Sequence, residues 1–145
     1  LNMIADQHHL LSASLRLAVS VVLRRDGRFL LVERGNPPGR GMFAFPGGRV
    51  EQGEQLHLAA GRELLEETGL VAANLREIAC FGLPGDDGGF QLHVFAAETF
   101  GGALVAGDDA LSADWYALEQ IRVMAVPQSV LEVAIALSEN DSWEL

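Results

Sequence analysis

The sequence predicts a mixed α/β fold, a β-sheet carrying one helix in mid-chain and a second at the end, and three observations predict it. Two apolar, branched runs are separated by Arg24-Arg25-Asp26-Gly27-Arg28. A segment of high helix propensity, Gln55 to Thr68, ends at Gly69. Strand patterns then return before a helical spacing that follows Pro127. With 145 residues the chain fits one domain large enough to bury a core, about 17–138, with 1–11 irregular.

The elements follow in order. Leu17–Leu23 and Phe29–Val32 read as strands, and Asp-Gly between such runs is a strong hairpin signal. Asn36 to Gly41, rich in Pro and Gly, reads as a loop. Met42–Phe45 runs into Pro46-Gly47-Gly48, a turn where backbone can approach a ligand closely. In the mid-chain helix Gly69 is placed as the C-cap. The row Leu56, Ala60, Leu64 and the pair Leu58, Leu65 are expected to pack on the sheet. Leu75–Phe81 and Phe90–Phe95 flank the Gly-rich turn Leu83–Gly89, and Leu104–Ala106 is expected to pair near them. Ala113–Leu118 is a further short strand. Pro127 starts a helix with Val130, Val133, Ala134 and Leu137 at helical spacing.

Composition narrows the function. The net charge of −10 argues against a nucleic-acid binder, which needs a basic footprint. All ten basic residues are Arg, which removes the Walker A loop and every Schiff-base mechanism. No apolar stretch approaches the roughly 20 residues of a membrane span, and Leu1 to Leu11 lacks the basic region and apolar run of a secretory signal. The lone Cys80 excludes an internal disulfide, fits a reducing cytoplasm, and lies in an apolar run that favours a buried thiol. No Cys/His spacing suggests zinc, and His57 and His93 read as helix-surface and strand residues.

The helix carries the chemistry. Glu63, Glu66 and Glu67 are three and four apart, so helical geometry places the carboxylates on neighbouring positions of one face. Like charges there repel, and a hard divalent cation with oxygen ligands resolves the repulsion. Glu-rich faces are also common on solvated helices, so this trio alone leaves both readings open. Arg62, one turn before Glu66, can hold a carboxylate in orientation.

The larger pattern Gly48-x5-Glu54-x7-Arg62-Glu63-Leu64-x-Glu66-Glu67-x-Gly69-Leu70 resembles the Nudix box at every defined position. Arg34-Gly35 before a Pro/Gly loop, then Phe45-Pro46-Gly47-Gly48, resembles the family's approach to the box. Trp115 sits where the family often ends a strand with Trp. The resemblance covers roughly Leu17 to Leu118.

The resemblance implies an α/β/α sandwich on a mixed sheet and hydrolysis of a diphosphate bridge in a nucleoside diphosphate linked to another group. It implies that Glu63, Glu66 and Glu67, with the carbonyl of Gly47, hold Mg²⁺ or Mn²⁺. Glu54, Gly48 and Gly69 support loop and helix, and Arg62 orients the carboxylates. Glu63 is one candidate general base; Asp108 and Asp109, in the loop before Trp115, are the others. Arg34 and Arg40 are candidates to clamp a phosphate, with solvated loop arginines as the alternative. Phe43, Phe81 and Phe90 are candidates to stack on a base, although aromatics in strands more often belong to the core. Phe81 is the one assigned to the site.

ADP-ribose or a nucleotide sugar is the first expected substrate. The Arg34–Arg40 loop resembles bacterial ADP-ribose pyrophosphatases, and Pro84 falls at a spacing seen among them. A noncanonical nucleoside triphosphate is the alternative. A non-catalytic Nudix-fold nucleotide sensor is the rival class, disfavoured by the intact box. An isoprenoid isomerase on this fold needs a Cys before the box, where none stands. Many relatives are dimers, so a homodimer is an expected partner state.

Overall fold

The computed structural model of the protein describes residues 16–85, 88–107 and 109–139. The first apolar run forms β1 (Arg16–Val22), and the Asp-Gly turn joins β2 (Arg24–Arg25) to β3 (Arg28–Arg34). Asp26 and Gly27 both take positive φ, 53° and 74°, as a two-residue hairpin turn demands. Only β2 answers β3 across this turn. The body of β1 belongs to another sheet, where it pairs in parallel with β8 (Phe90–Ala96) and antiparallel with β5 (Gly47–Arg49).

That sheet is four-stranded and mixed, in the order β5-β1-β8-β7, with β7 at Arg76–Leu83. A second sheet runs β10-β3-β2, where β10 is Ala110–Tyr116; β4 (Phe43–Ala44) also pairs with β3. A small ribbon joins β6 (Val71–Ala73) to β9 (Thr99–Gly101).

Helices cover both faces of the strands: α1 (Leu56–Thr68) on one side, and the short α2 (Leu118–Ile121) with α3 (Gln128–Glu139) on the other. Strand alternation serves both layers. Val19, Val21, Leu23, Leu30 and Phe95 pack with Ala59, Ala60 and Leu64 of α1. Val22, Phe29, Leu31, Val94 and Ala96 pack with Val130, Val133, Ala134 and Leu137 of α3. Strands buried on both faces read as continuous apolar runs, which is how β1 and β3 read in the sequence. The α3 pattern therefore holds as expected.

Three expectations need correction. Leu58 and Leu65 do not pack on the sheet; they are 56% and 52% exposed. At about 100° per residue they lie nearly opposite the face centred on Ala60 and Leu64. Leu104–Ala106 forms no strand. The Val105 N–H instead donates to the Thr68 carbonyl and the Gly107 N–H to the Glu67 carbonyl, satisfying acceptors that the end of α1 leaves open. The ribbon partner of β6 is Thr99–Gly101. Cys80 is exposed, because β7 is an edge strand whose other face, through Ile78, Ala79 and Phe81, meets the core. Among the described residues no helix is long and apolar enough to cross a membrane.

Candidate active site

The site begins with a tight turn before α1. The Glu54 N–H donates to the Glu51 carbonyl at 3.0 Å, and Gly53 takes φ 81°, the left-handed geometry required at that corner. The Glu54 carboxylate closes the turn by accepting from the Glu51 N–H at 3.0 Å. At its far end α1 stops at Gly69, φ 75°, whose N–H returns to the Leu65 carbonyl. The stop at Gly69 is the C-cap the sequence leads one to expect.

Arg62 organises this surface. Its Nε donates to Glu54 Oε2 at 2.8 Å and its Nη1 to Glu63 Oε1 at 2.7 Å; Nη1 also reaches Glu66 Oε2 at 3.3 Å. Its Nη2 donates to the Arg49 carbonyl at 3.0 Å and to Glu54 Oε1 at 3.0 Å. One planar guanidinium therefore ties the turn, β5 and the helix carboxylates together, a task suited to its fixed fork of donors. The hydrogen bond from Arg62 holds the Glu54 carboxyl below the usual range. The same bond raises the pKa of Arg62.

The carboxylates differ according to their position around the helix. Glu67 lies toward the sheet, where its Oε1 accepts from the Gly47 N–H at 2.7 Å. Burial nevertheless pushes its pKa up to about 7, with further upward pressure from Glu63 and Asp109 and an opposing pull from Arg34. Burial also raises Glu63, against the lowering contact with Arg62. Glu66, 53% exposed, faces outward. Gly48 runs so close beneath Glu63 that a Cβ there would overlap its carboxylate, and a Cβ on Gly47 would meet β1 backbone. Gly47 is needed for the close approach of β5 to β1, whereas at Gly48 a side chain would displace the Glu63 carboxylate.

Glu63 and Glu67 form one wall of a groove of about 410 Å³, which Arg34, Gly47, Gly48, Arg49, Phe90 and Asp109 also line. Arg34 is steadied by donating from Nε to the Pro38 carbonyl at 2.9 Å. Asp109 lies directly before β10, after the residues that cap α1, and its Oδ1 accepts from Asn36 Nδ2 at 2.8 Å. Of the other candidate bases, Asp108 lies outside the described residues. An apolar pocket of about 240 Å³ adjoins the groove; it shares Ala18, Arg34, Gly47 and Gly48 and continues along Phe45, Leu83, Leu92 and Val130. A larger hollow of about 550 Å³ lies at the other end of β8, beside Ala73–Arg76 and Ala96–Thr99, but gathers no carboxylate cluster.

Not every expected residue reaches the groove. Arg40 is exposed and does not line it. Phe81 packs against the core on the α3 side, and Phe43 meets Tyr116 edge-on at 5.7 Å between ring centroids. Phe90 is the aromatic on the groove, with the Arg49 guanidinium 5.7 Å from its ring centroid. Sequence reasoning missed Arg49 as a groove residue. Its position directly after Gly48, on the strand entering the helix turn, was the available signal. Trp115 lies away from the groove, stacked on Phe100 at 5.6 Å with Arg25 over both rings.

A family model described as the NUDIX domain matches residues 14–133. An ADP-ribose pyrophosphatase of Methanocaldococcus jannaschii is 38% identical over 111 residues, which are 75% of this chain and 66% of that protein. A putative 8-oxo-dGTP diphosphatase of Bacillus subtilis is 33% identical over 111 residues, 76% of this chain and 71% of its own length. The chain thus spans about two thirds of these relatives. The crystal structure of a MutT NUDIX hydrolase from Burkholderia pseudomallei superposes with a TM-score of 0.76 at 23% identity, covering 84% of this chain and 96% of that one. With the NUDIX domain model matching most of its length and a relative 38% identical, this chain, whose α1 carries its carboxylates over the glycines of β5, belongs to the Nudix hydrolase family.

Proposed function

We propose that this Nudix enzyme hydrolyses the diphosphate bridge of a nucleoside diphosphate joined to a second group, with ADP-ribose as the first substrate. The observation that carries the reading is the convergence of Glu63, Glu67, Arg34 and Arg49 on one groove that opens into an apolar pocket.

The donor set fits a hard divalent cation. Glu63, Glu66 and Glu67 offer carboxylate oxygens, and two of them are pushed toward protonation by burial and mutual repulsion. Mg²⁺ or Mn²⁺ held there, with the Gly47 carbonyl as a further ligand, would neutralise phosphate charge and lower the pKa of water. The chain's own residues do the rest. Arg62 orients Glu63 and Glu66, and the Gly47 N–H holds Glu67. Arg34 and Arg49 bind the phosphate oxygens through their guanidinium groups. Water forms the new P–O bond while the bridging P–O bond breaks, and Glu63 or Asp109 accepts the water's proton. The base or terminal sugar rests in the apolar pocket beside Phe45, where Ser20 Oγ is buried without a hydrogen-bond partner among the described residues and faces this space. Arg40 and Phe81, from their positions, serve the loop and the core rather than the first contacts.

The ADP-ribose assignment draws on the relative at 38% identity and on the Arg34–Arg40 loop. The second reading, a noncanonical nucleoside triphosphate, draws on the 8-oxo-dGTP relative at 33% identity and on the apolar pocket. Comparing kcat/KM for ADP-ribose and a panel of triphosphates separates them. ADP-ribose should yield AMP and ribose 5-phosphate. A triphosphate preferred by about tenfold or more, roughly 1.4 kcal/mol at the transition state, overturns the substrate assignment and leaves the reaction class standing.

A further inference from the structure

The face of the sheet beside β7 holds a second cluster that hydrolysis does not use. Cys80 stands directly across from His93 in the β7–β8 ladder. Glu77, three residues before Cys80, would point to the opposite face of a regular strand. An irregularity between Glu77 and Ala79 prevents that: Ile78 and Ala79 both turn toward the core, and Glu77 returns to the Cys80 face. Carboxylate, thiol and imidazole ligand atoms thereby lie within 4.8 Å of one another, and His93 Nδ1 is 2.7 Å from Glu77 Oε2.

We propose that Glu77, Cys80 and His93 form a metal site, separate from the carboxylate face of α1, that takes a borderline transition ion such as Zn²⁺. Thiolate, imidazole and carboxylate together are a zinc-type donor set, and a three-ligand site leaves a fourth position open. The His93 side chain is 14% exposed and Glu77 40%, so the ring is fixed by packing while the cluster stays open to solvent. An exposed His–Glu pair alone contributes little, and it gives no reason for a bulge that also brings both groups to a thiol. Binding exchanges the Glu77–His93 contact for metal–ligand bonds, and the Cys80 thiol releases its proton to water. The site is distinct from the groove. The row across the sheet runs Gly48, Val19, His93, Cys80, three strand spacings and therefore on the order of 14 Å. Bound metal would fasten the edge strand β7 to β8. In the sequence the ligands belong to two strands joined by a turn, and no metal-binding spacing announces them.

Co²⁺ added to the full chain in excess Mg²⁺ provides the test. Cys80 is the only cysteine, so any thiolate-to-cobalt charge-transfer absorption reports on this cluster alone. The band should saturate at one equivalent, disappear in Cys80→Ser, and require roughly tenfold or more Co²⁺ in His93→Ala and in Glu77→Ala. It should persist in Glu67→Gln, and Zn²⁺ should displace it. Mg²⁺-dependent hydrolysis should be unchanged in Cys80→Ser. Absence of the band at one equivalent overturns the proposal. So does a band of equal affinity in His93→Ala, which would mean a simple thiol adduct.

Discussion

Glu67→Gln in the metal-free protein sets the cost of the carboxylate face against its use. Burial raises Glu67 from the ordinary 4.5 to about 7 in the folded protein. Between those values the folded state holds a proton that the unfolded chain has released, so stability falls as pH rises from 4.5 to about 7 and is flat above. At about 1.4 kcal/mol per tenfold change in proton affinity, the full penalty is roughly 3 kcal/mol. Glutamine keeps an oxygen to accept the Gly47 N–H but carries no charge. The variant should therefore match the wild type near pH 4.5 and exceed it by up to about 3 kcal/mol at pH 8, some 6–12 °C in Tm for a chain of this size. Urea unfolding in EDTA at pH 4.5, 6 and 8 measures the difference directly. Mg²⁺ at about a thousandfold excess over Kd should reverse the order at pH 8, because binding to the folded state alone then stabilises the wild type by about 4.1 kcal/mol. A stability difference independent of pH in EDTA would refute the account of Glu67.

The remaining predictions concern the reaction. EDTA should abolish hydrolysis, and Mg²⁺ or Mn²⁺ should restore it; full activity in excess chelator contradicts the carboxylate site. Glu66→Gln should lower kcat by several orders of magnitude while changing stability by less than about 1 kcal/mol, since Glu66 is exposed; steady-state kinetics and thermal unfolding on the same preparation check both. Gly48→Ala places a Cβ against the Glu63 carboxylate and should cost about a hundredfold in kcat with the fold intact; unchanged kinetics would show that Glu63 need not stay where it is. Arg62→Lys keeps the charge but cannot serve Glu54, Glu63, Glu66 and the Arg49 carbonyl together, so kcat should fall about ten- to a hundredfold. A lysine variant with wild-type kcat would show that charge alone suffices.

Local chemistry was legible along the chain. The turn at Asp26-Gly27 and the stop at Gly69 depend on backbone conformations that neighbouring residues dictate, and each is found where the residues place it; of the spaced carboxylates, Glu63 and Glu67 line the groove while Glu66 faces outward. The box could be read for the same reason: its parts lie within one turn and one helix. Other features required the folded chain. Leu58 and Leu65 are apolar yet exposed, because which side of α1 meets the sheet depends on where Ala60 and Leu64 find partners. Arg49, Phe90 and Asp109 come from three separate strands or loops, and only the alignment of β5, β1 and β8 and the cap on α1 bring them to one groove. Cys80 looked buried because its neighbours are apolar, but it lies on the edge strand β7 and is exposed, while Ile78, Ala79 and Phe81 meet the core. Its approach to His93 and Glu77 depends on strand register and on a single irregularity in β7. Contacts within a turn or a helix follow from sequence separation; contacts across a sheet follow from pairing register, which only the tertiary structure settles.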